Sequence, residues 1–406
     1  MTTSSEFKRN WRVVVAGAVG VGSGVSLFGF VYSLFIQGWE REFNWSRAEI
    51  SLAYFAAPAA ALFMPLIGAM VDRFGARIVA TVSTVLLCVV YGFIVNISDN
   101  VWLLYASLFA AAFLGGGSGP ISYSRAVASR FDAARGLALA LTLSGTAVMA
   151  IIFPPILNWV IDTWGWRWGI GLLVLIAAGF GLPAAFFGLR ERADPATGLA
   201  EAPAVSPAFG FTVLEALRGA KFWILCLCVF LIAAPIFGVT AHMKPLFLER
   251  GFSSGQAALM ISALASAVLC GRLLTGYLID RYWAPGIAAA LVVSSAVGAL
   301  MIFAAGGSFW LAALGVFLLG AAQGAELDIM AYLTSRYFGL RAFSTLYGAL
   351  AIAYSLAFPT GALIYANVRA ETGQYDGALI IASASLAAAA VLLLTLGRYP
   401  RPPQLA

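Results

Sequence analysis

The chain has 406 residues, of which 62% are hydrophobic and only 10% charged, against roughly 25% charged in ordinary soluble domains. That balance excludes a fold whose main solvent is water and calls for a lipid bilayer. The formal charge of +6 gives no support to nucleic-acid binding, because no soluble basic domain exists to carry it.

A window of about 20 residues, the length a helix needs to cross the hydrocarbon core, finds twelve apolar runs. They cover 11–36, 48–71, 77–97, 101–126, 136–160, 167–189, 222–247, 255–279, 286–305, 309–333, 342–367 and 377–397. All are predicted to be α-helical, since unpaired backbone cannot face lipid. The 42 glycines suit helices that pack closely or bend in lipid. The first run is too long for a signal peptide and lacks a small-residue cleavage site, so it is expected to stay in place. In the fourth run, Gly115-Gly116-Gly117-Ser118-Gly119 has no lysine after it and is no phosphate loop. ATP is therefore not expected as the direct energy source, and no cofactor is expected. Pro154-Pro155 should bend the fifth run.

Between the sixth and seventh runs lies the longest polar interruption, with Pro195, Pro203 and Pro207. It reads as a tether that divides the chain into a six-helix bundle at 1–190, a cytoplasmic linker at 191–220 and a second bundle at 221–406. A short amphipathic helix is expected near Thr212–Ala220. Cys88, Cys226, Cys228 and Cys270 all lie in apolar runs without metal-ligand spacing, so no metal site is expected.

An even number of runs puts both termini on one side. With that side in the cytoplasm, sixteen of the 24 Lys and Arg lie inside, and only Arg41, Arg47, Arg167, Arg250 and Arg369 lie outside. The positive-inside bias thus predicts a multi-pass protein with both termini cytoplasmic. The three remaining cations, Arg125, Lys244 and Arg272, fall within runs. Lys244 is expected to snorkel to the outer surface, and Arg125 to anchor at the cytoplasmic interface.

The chain also repeats itself. Gly68-Ala-Met-Val-Asp72-Arg73-Phe74-Gly75-Ala76-Arg77 returns 208 residues later as Gly276-Tyr-Leu-Ile-Asp280-Arg281-Tyr282-Trp283-Ala284-Pro285. The stretch 129–135, SRFDAAR, returns at 335–341 as SRYFGLR, offset by 206. Two unrelated motifs at nearly one offset indicate duplication. With the six-plus-six layout, Gly68-x-x-x-Asp72-Arg73-x-Gly75-x-Arg77 resembles the major facilitator superfamily across the whole chain. The resemblance implies an all-α membrane fold of twelve helices in two six-helix bundles, with alternating access about a midplane site. It further implies that Gly68, Asp72, Arg73, Gly75 and Arg77 latch the cytoplasmic ends of the bundles in the outward-open state. The second copy, Gly276, Asp280 and Arg281, has Trp283 and Pro285 at the later glycine and basic positions and should latch more weakly.

Residues shared by the halves are scaffold, whereas costly residues present in one half are candidates for substrate work. Arg272 matches Met64, and Glu326 and Asp328 match Pro120 and Ser122. Arg272 lies eight residues before Asp280, about 12 Å of helix, and Glu326 ten before Arg336, about 15 Å. Half of a core about 30 Å thick is about 15 Å, so a cation and two carboxylates share the midplane. Such groups are functional candidates by default. If Arg272 pairs with one carboxylate, the other lacks an obvious partner and can hold a proton. Glu326 and Asp328, two residues apart, cannot both face the same partner. A static network pinning the eighth run to the tenth is the bland alternative.

The pattern Arg272-x-x-x-Gly276-x-x-x-Asp280 is similar to the monocarboxylate transporter and oxalate/formate antiporter branch, which implies that Arg272 receives a substrate carboxylate. Gly119-Pro120-x-x-Tyr123 and His242 also resemble bacterial members, in which a tyrosine and a histidine at such places approach the ligand. The bland reading of His242 is a helix-end histidine bonded to a backbone carbonyl. Mammalian members of the branch place an acidic residue one turn before the arginine, where this chain has Val268, and a lysine in the first helix, where this chain has none between Arg12 and Glu40.

The expected function is uptake of small organic anions such as monocarboxylates, driven by a proton gradient, by a monomer in a bacterial inner membrane. Arg272, Tyr123 and His242 would bind substrate, and Glu326 or Asp328 would carry the proton. An efflux or antiport carrier for drugs or toxic anions is the alternative, and a catalytic role is not expected.

Overall fold

A computed structural model describes residues 3–45, 47–97, 99–189 and 210–399. The tether at 191–209 and the side chain of Lys244 lie outside the described residues. Eighteen α-helices run in order: α1 (Thr3–Ser23), α2 (Ser26–Phe43), α3 (Arg47–Leu52), α4 (Ala56–Ala61), α5 (Met64–Phe74), α6 (Ala76–Val95), α7 (Val101–Leu114), α8 (Pro120–Ala128), α9 (Arg135–Leu143), α10 (Gly145–Trp164), α11 (Trp166–Ile176), α12 (Val213–Arg218), α13 (Ala220–Glu249), α14 (Ser254–Ile279), α15 (Ala284–Phe303), α16 (Phe309–Phe338), α17 (Phe343–Thr372) and α18 (Asp376–Thr395). The helix expected near Thr212–Ala220 is α12.

Among the described residues ten helical segments are long and apolar enough to cross a membrane, two of them running over the short breaks between α1 and α2 and between α9 and α10, and α7 is a shorter apolar helix. The two remaining runs are broken into short helices. In the second, Pro65 opens α5 after a break that follows α4. In the fourth, α7 ends at the glycine cluster and Pro120 starts α8. Glycine lacks the side chain that would stabilise a helix at 115–119, and proline is best tolerated in a first turn. The interruption is packed rather than exposed: a Cβ on Gly117 would stand 2.5 Å from Ser83 Oγ, and one on Gly116 2.7 Å from Ile67 Cδ1. Irregular backbone at membrane depth is tolerated where protein covers it in this way. Local signals set other ends. Ser253 and Gln256 form a reciprocal capping box that starts α14, and Asn100 Oδ1 accepts from the Trp102 amide at the start of α7.

The chain forms two compact units. The first holds Met1–Ala133, Leu141–Thr212 and Phe338–Ala349; the second holds Ala134–Ala140, Val213–Tyr337 and Leu350–Ala406. Each unit therefore contains a short segment from the opposite half of the sequence. At the core of the first lie Tyr32, Phe35, Trp39, Trp166 and their apolar neighbours, and α1 meets α10 so closely that a Cβ on Gly145 would stand 1.9 Å from Ala18 O. In the second, α18 packs along α13 and α15, and α14 meets α16 across a glycine seam described below.

Candidate substrate and coupling site

Arg272 projects from α14 into the interior of the second unit and is 6% exposed. Its Nε donates to Gly324 O at 2.9 Å and lies 3.4 Å from Oδ2 of Asp328, which is fully buried. Small residues make this reach possible. A Cβ on Gly271 would stand 2.2 Å from Ala321 O, one on Gly324 1.9 Å from Val268 O, and one on Gly320 2.7 Å from Leu264 O. Gly320-x-x-x-Gly324 is a small-residue seam of the kind that brings membrane helices together. Its spacing is visible in the sequence alone.

Charge explains why Asp328 faces this way. A guanidinium taken out of water costs several kcal/mol unless an anion and hydrogen bonds compensate it, and Asp328 and Gly324 O supply one of each. Glu326 takes the opposite direction. Among the described residues neither of its carboxyl oxygens has a hydrogen-bond partner, and it borders a small cavity between α13, α15, α16 and α18. The structure thus brings Arg272 and Asp328 together and leaves Glu326 apart from both.

His242, in α13, makes contacts of another kind. Its Nε2 lies 3.0 Å from Ala362 O and its Nδ1 3.3 Å from the Tyr375 hydroxyl, while its ring stacks on Tyr365. A carbonyl only accepts, so Nε2 donates to Ala362 and the Tyr375 hydroxyl donates to Nδ1. Both ring nitrogens are engaged inside the protein, in the arrangement of a helix-end histidine tied to backbone. Tyr123 belongs to the first unit. It is fully buried, its hydroxyl has no hydrogen-bond partner among the described residues, and it packs where a Cβ on Gly20 would stand 2.2 Å away.

The duplicated turns supply a second set of contacts. Asp72, at the end of α5, accepts from the Ser344 amide at 3.1 Å, from the Thr345 amide at 2.9 Å and from Thr345 Oγ1 at 2.9 Å. Asp280, just past α14, accepts from the amides of Gly136 at 2.6 Å and Leu137 at 2.9 Å. Residues 72 and 280 differ by 208, as do 136 and 344, and 137 and 345. The bonds are repeat images of one another, and in each a carboxylate from one half caps the first turn of a helix from the other half. Such capping satisfies donors that a helix leaves unpaired.

Gly68 and Gly276 permit the approach: a Cβ on the first would stand 2.1 Å from Ser344 O, and one on the second 2.5 Å from Ala140 Cβ. Gly75 joins α5 to α6 at φ +85°, a conformation L side chains rarely adopt. The arginines of the motif make local contacts. Arg77 Nε donates to Phe186 O at 2.8 Å and its guanidinium covers the Phe186 ring. Arg73 lies against Phe74 and Arg281 over Tyr277. The two carboxylates bridge the two halves of the sequence.

Arg125, expected as an interfacial anchor, instead faces Asp72 at 3.7 Å, with side-chain exposures of 18% and 11%. Burial pushes the Asp280 carboxyl up to about 6, against the pull of its hydrogen bonds from Leu137 and Gly136 and of the charges of Arg336 and Arg135.

Known proteins share this architecture. The chain is 26% identical to mouse monocarboxylate transporter 11 over 96% of its own length and 88% of that protein. It is 24% identical to the Emericella nidulans aspyridones efflux protein apdF over 53% of its length and 41% of that protein. Among solved structures it resembles the human organic anion transporter MFSD10 with a TM-score of 0.72 at 18% identity, covering 95% of this chain and 99% of that one. The sequence pattern of the Major Facilitator Superfamily matches residues 14–362, and the chain belongs to that superfamily of membrane transporters.

Proposed function

We propose that the chain is a secondary carrier that takes up small organic anions, monocarboxylates among them, together with protons. The observation that carries this reading is the buried pairing of Arg272 with Asp328. A planar, permanently charged guanidinium suits a carboxylate ligand better than any other side chain does. While Asp328 is ionised, it competes with an incoming anion for that guanidinium. A proton on Asp328 removes the competitor, and the substrate carboxylate takes its place beside Arg272 at no net change in buried charge. Anion and proton therefore favour each other's binding, which is the requirement for coupling. Of the two carboxylates in α16, the ion pair with Arg272 supports Asp328 in this exchange. The surplus of cations on one side of the membrane supports cytoplasmic termini.

Reconstitution in proteoliposomes tests the proposal. An imposed acid-outside gradient should drive accumulation of radiolabelled lactate or pyruvate. Arg272→Lys keeps the charge but loses the fork, and initial uptake should fall by about tenfold or more, the worth of one charged hydrogen bond. Full uptake by that variant would sink the role of Arg272. Asp328→Asn should keep substrate exchange at equal pH while losing its response to the gradient. Likeness to a fungal efflux protein favours export as the second reading. Resistance of expressing cells to a toxic anion, without gradient-driven uptake by the purified protein, would select it.

A further inference from the structure

Glu326 has no part in that exchange. It lies two residues, about 200° of helix, from Asp328 and borders a cavity of ≈ 20 Å³ lined by Leu225, Cys228, Ile232, Val292, Met330 and Leu393 among others. The one other titratable group on the cavity wall is Cys228, whose thiol donates to Ala389 O. Among the described residues, no cation borders the cavity from α13, α15, α16 or α18. Glu326 is 5% exposed and both its carboxyl oxygens are buried without a hydrogen-bond partner among the described residues. An ionised carboxylate in this place would bear its desolvation cost with nothing to offset it.

The volume narrows the occupant. A cavity of this size holds about one water molecule, which needs polar partners to stay, and the carboxyl supplies a donor and acceptors once protonated. An organic anion does not fit. One carboxyl group amid aliphatic side chains also falls far short of the roughly six oxygens a hard cation requires.

We propose that Glu326 and this cavity form a second proton-binding site, separate from the Arg272–Asp328 pair, in which a neutral carboxyl group hydrogen-bonds one water molecule. The site stands whether or not the chain carries monocarboxylates, because it rests on the packing of α16 against α13, α15 and α18. It gives the helix two carboxyl groups with different duties, one exchanging its proton beside an arginine and one keeping it.

Infrared difference spectroscopy of the purified full chain, without substrate, tests this apart from transport. The wild type at neutral pH should show a C=O band of an un-ionised acid that shifts in heavy water and is missing in Glu326→Gln, and the variant should melt close to the wild type. An un-ionised-acid region unchanged by Glu326→Gln would overturn the proposal. Should that variant fail to fold, a hydrophobic carbodiimide offers a second measurement on the wild type. The acid proton moves to a reagent nitrogen while the carboxyl oxygen bonds the central carbon, so the whole reagent adds with nothing released. An adduct mapped to Glu326 by mass spectrometry at neutral pH supports the site, and adducts confined to other carboxyl groups refute it.

Discussion

Asp72 accepts three hydrogen bonds and has the Arg125 guanidinium beside it, whereas Asp280, at the matching place in the second copy, accepts two hydrogen bonds, both from backbone amides, and feels the charges of Arg336 and Arg135. The connections differ as well. A single glycine at φ +85° joins α5 to α6, while four residues, Asp280 to Trp283, join α14 to α15, with Trp283 at φ −63°. The same bond is thus held by a tight, glycine-dependent turn in one copy and by a longer, unstrained one in the other. The comparison teaches that the geometry of the capped helix end is what the duplication preserved, and that the means of presenting the carboxylate was free to change.

Removing each aspartate tests this most strongly. Asp72→Ala leaves the largely buried Arg125 without its anion and three donors without their acceptor, at about 3–5 kcal/mol. Asp280→Ala strips two charged hydrogen bonds and the anion near Arg336 and Arg135, but burial already disfavours its charged form, which puts the cost at about 3 kcal/mol, the low end for two such bonds. Thermal melting of the purified variants should place Asp72→Ala below Asp280→Ala, and the reverse order would break the comparison. Next in size is Gly75→Ala, which puts a Cβ at a strained φ and should cost about 1–3 kcal/mol. Trp283→Ala introduces no backbone strain at the matching position, so an equal backbone penalty there would contradict the difference between the turns.

The smallest effect concerns pH. The Asp280 carboxyl is raised to about 6 in the folded chain, first by burial. A raised acid binds its proton more tightly folded than unfolded, so this contribution is complete below the ordinary aspartate range and is lost as pH rises through about 6. Melting temperature should decline across that window in the wild type, and Asp280→Asn should remove the decline. A slope unchanged in Asp280→Asn would assign the titration elsewhere.

Much of this was legible in the sequence, because membrane helices follow from long apolar runs and a duplication follows from an offset. The isolation of Arg272, Glu326 and Asp328 in one half was also visible, since charges at that depth stand out against 62% hydrophobic residues. Which carboxylate meets the arginine was not. Their spacing shows only that they face apart, and the choice depends on how α14 packs along Gly320 and Gly324. Arg125 was misread for a related reason: position near a helix end suggests anchoring, and only tertiary packing reveals Asp72 as its neighbour. The interruption at 115–119 was hidden because its cost is met by covering residues from α5 and α6, which no local pattern records.

The amide bonds to Asp72 and Asp280 have a consequence for how such a chain can change. Their backbone donors at 136, 137, 344 and 345 belong to the peptide unit, so nineteen of the twenty amino acids at each position would supply the same N–H, and proline alone would delete it. At 137, 344 and 345 the donor is therefore independent of the side chain, whereas at Gly136 a Cβ would stand 2.6 Å from Gly276 O and push the two helices apart. Gly136 and Leu137 in one copy and Ser344 and Thr345 in the other share no side-chain chemistry, and the contact outlived the loss of likeness around it.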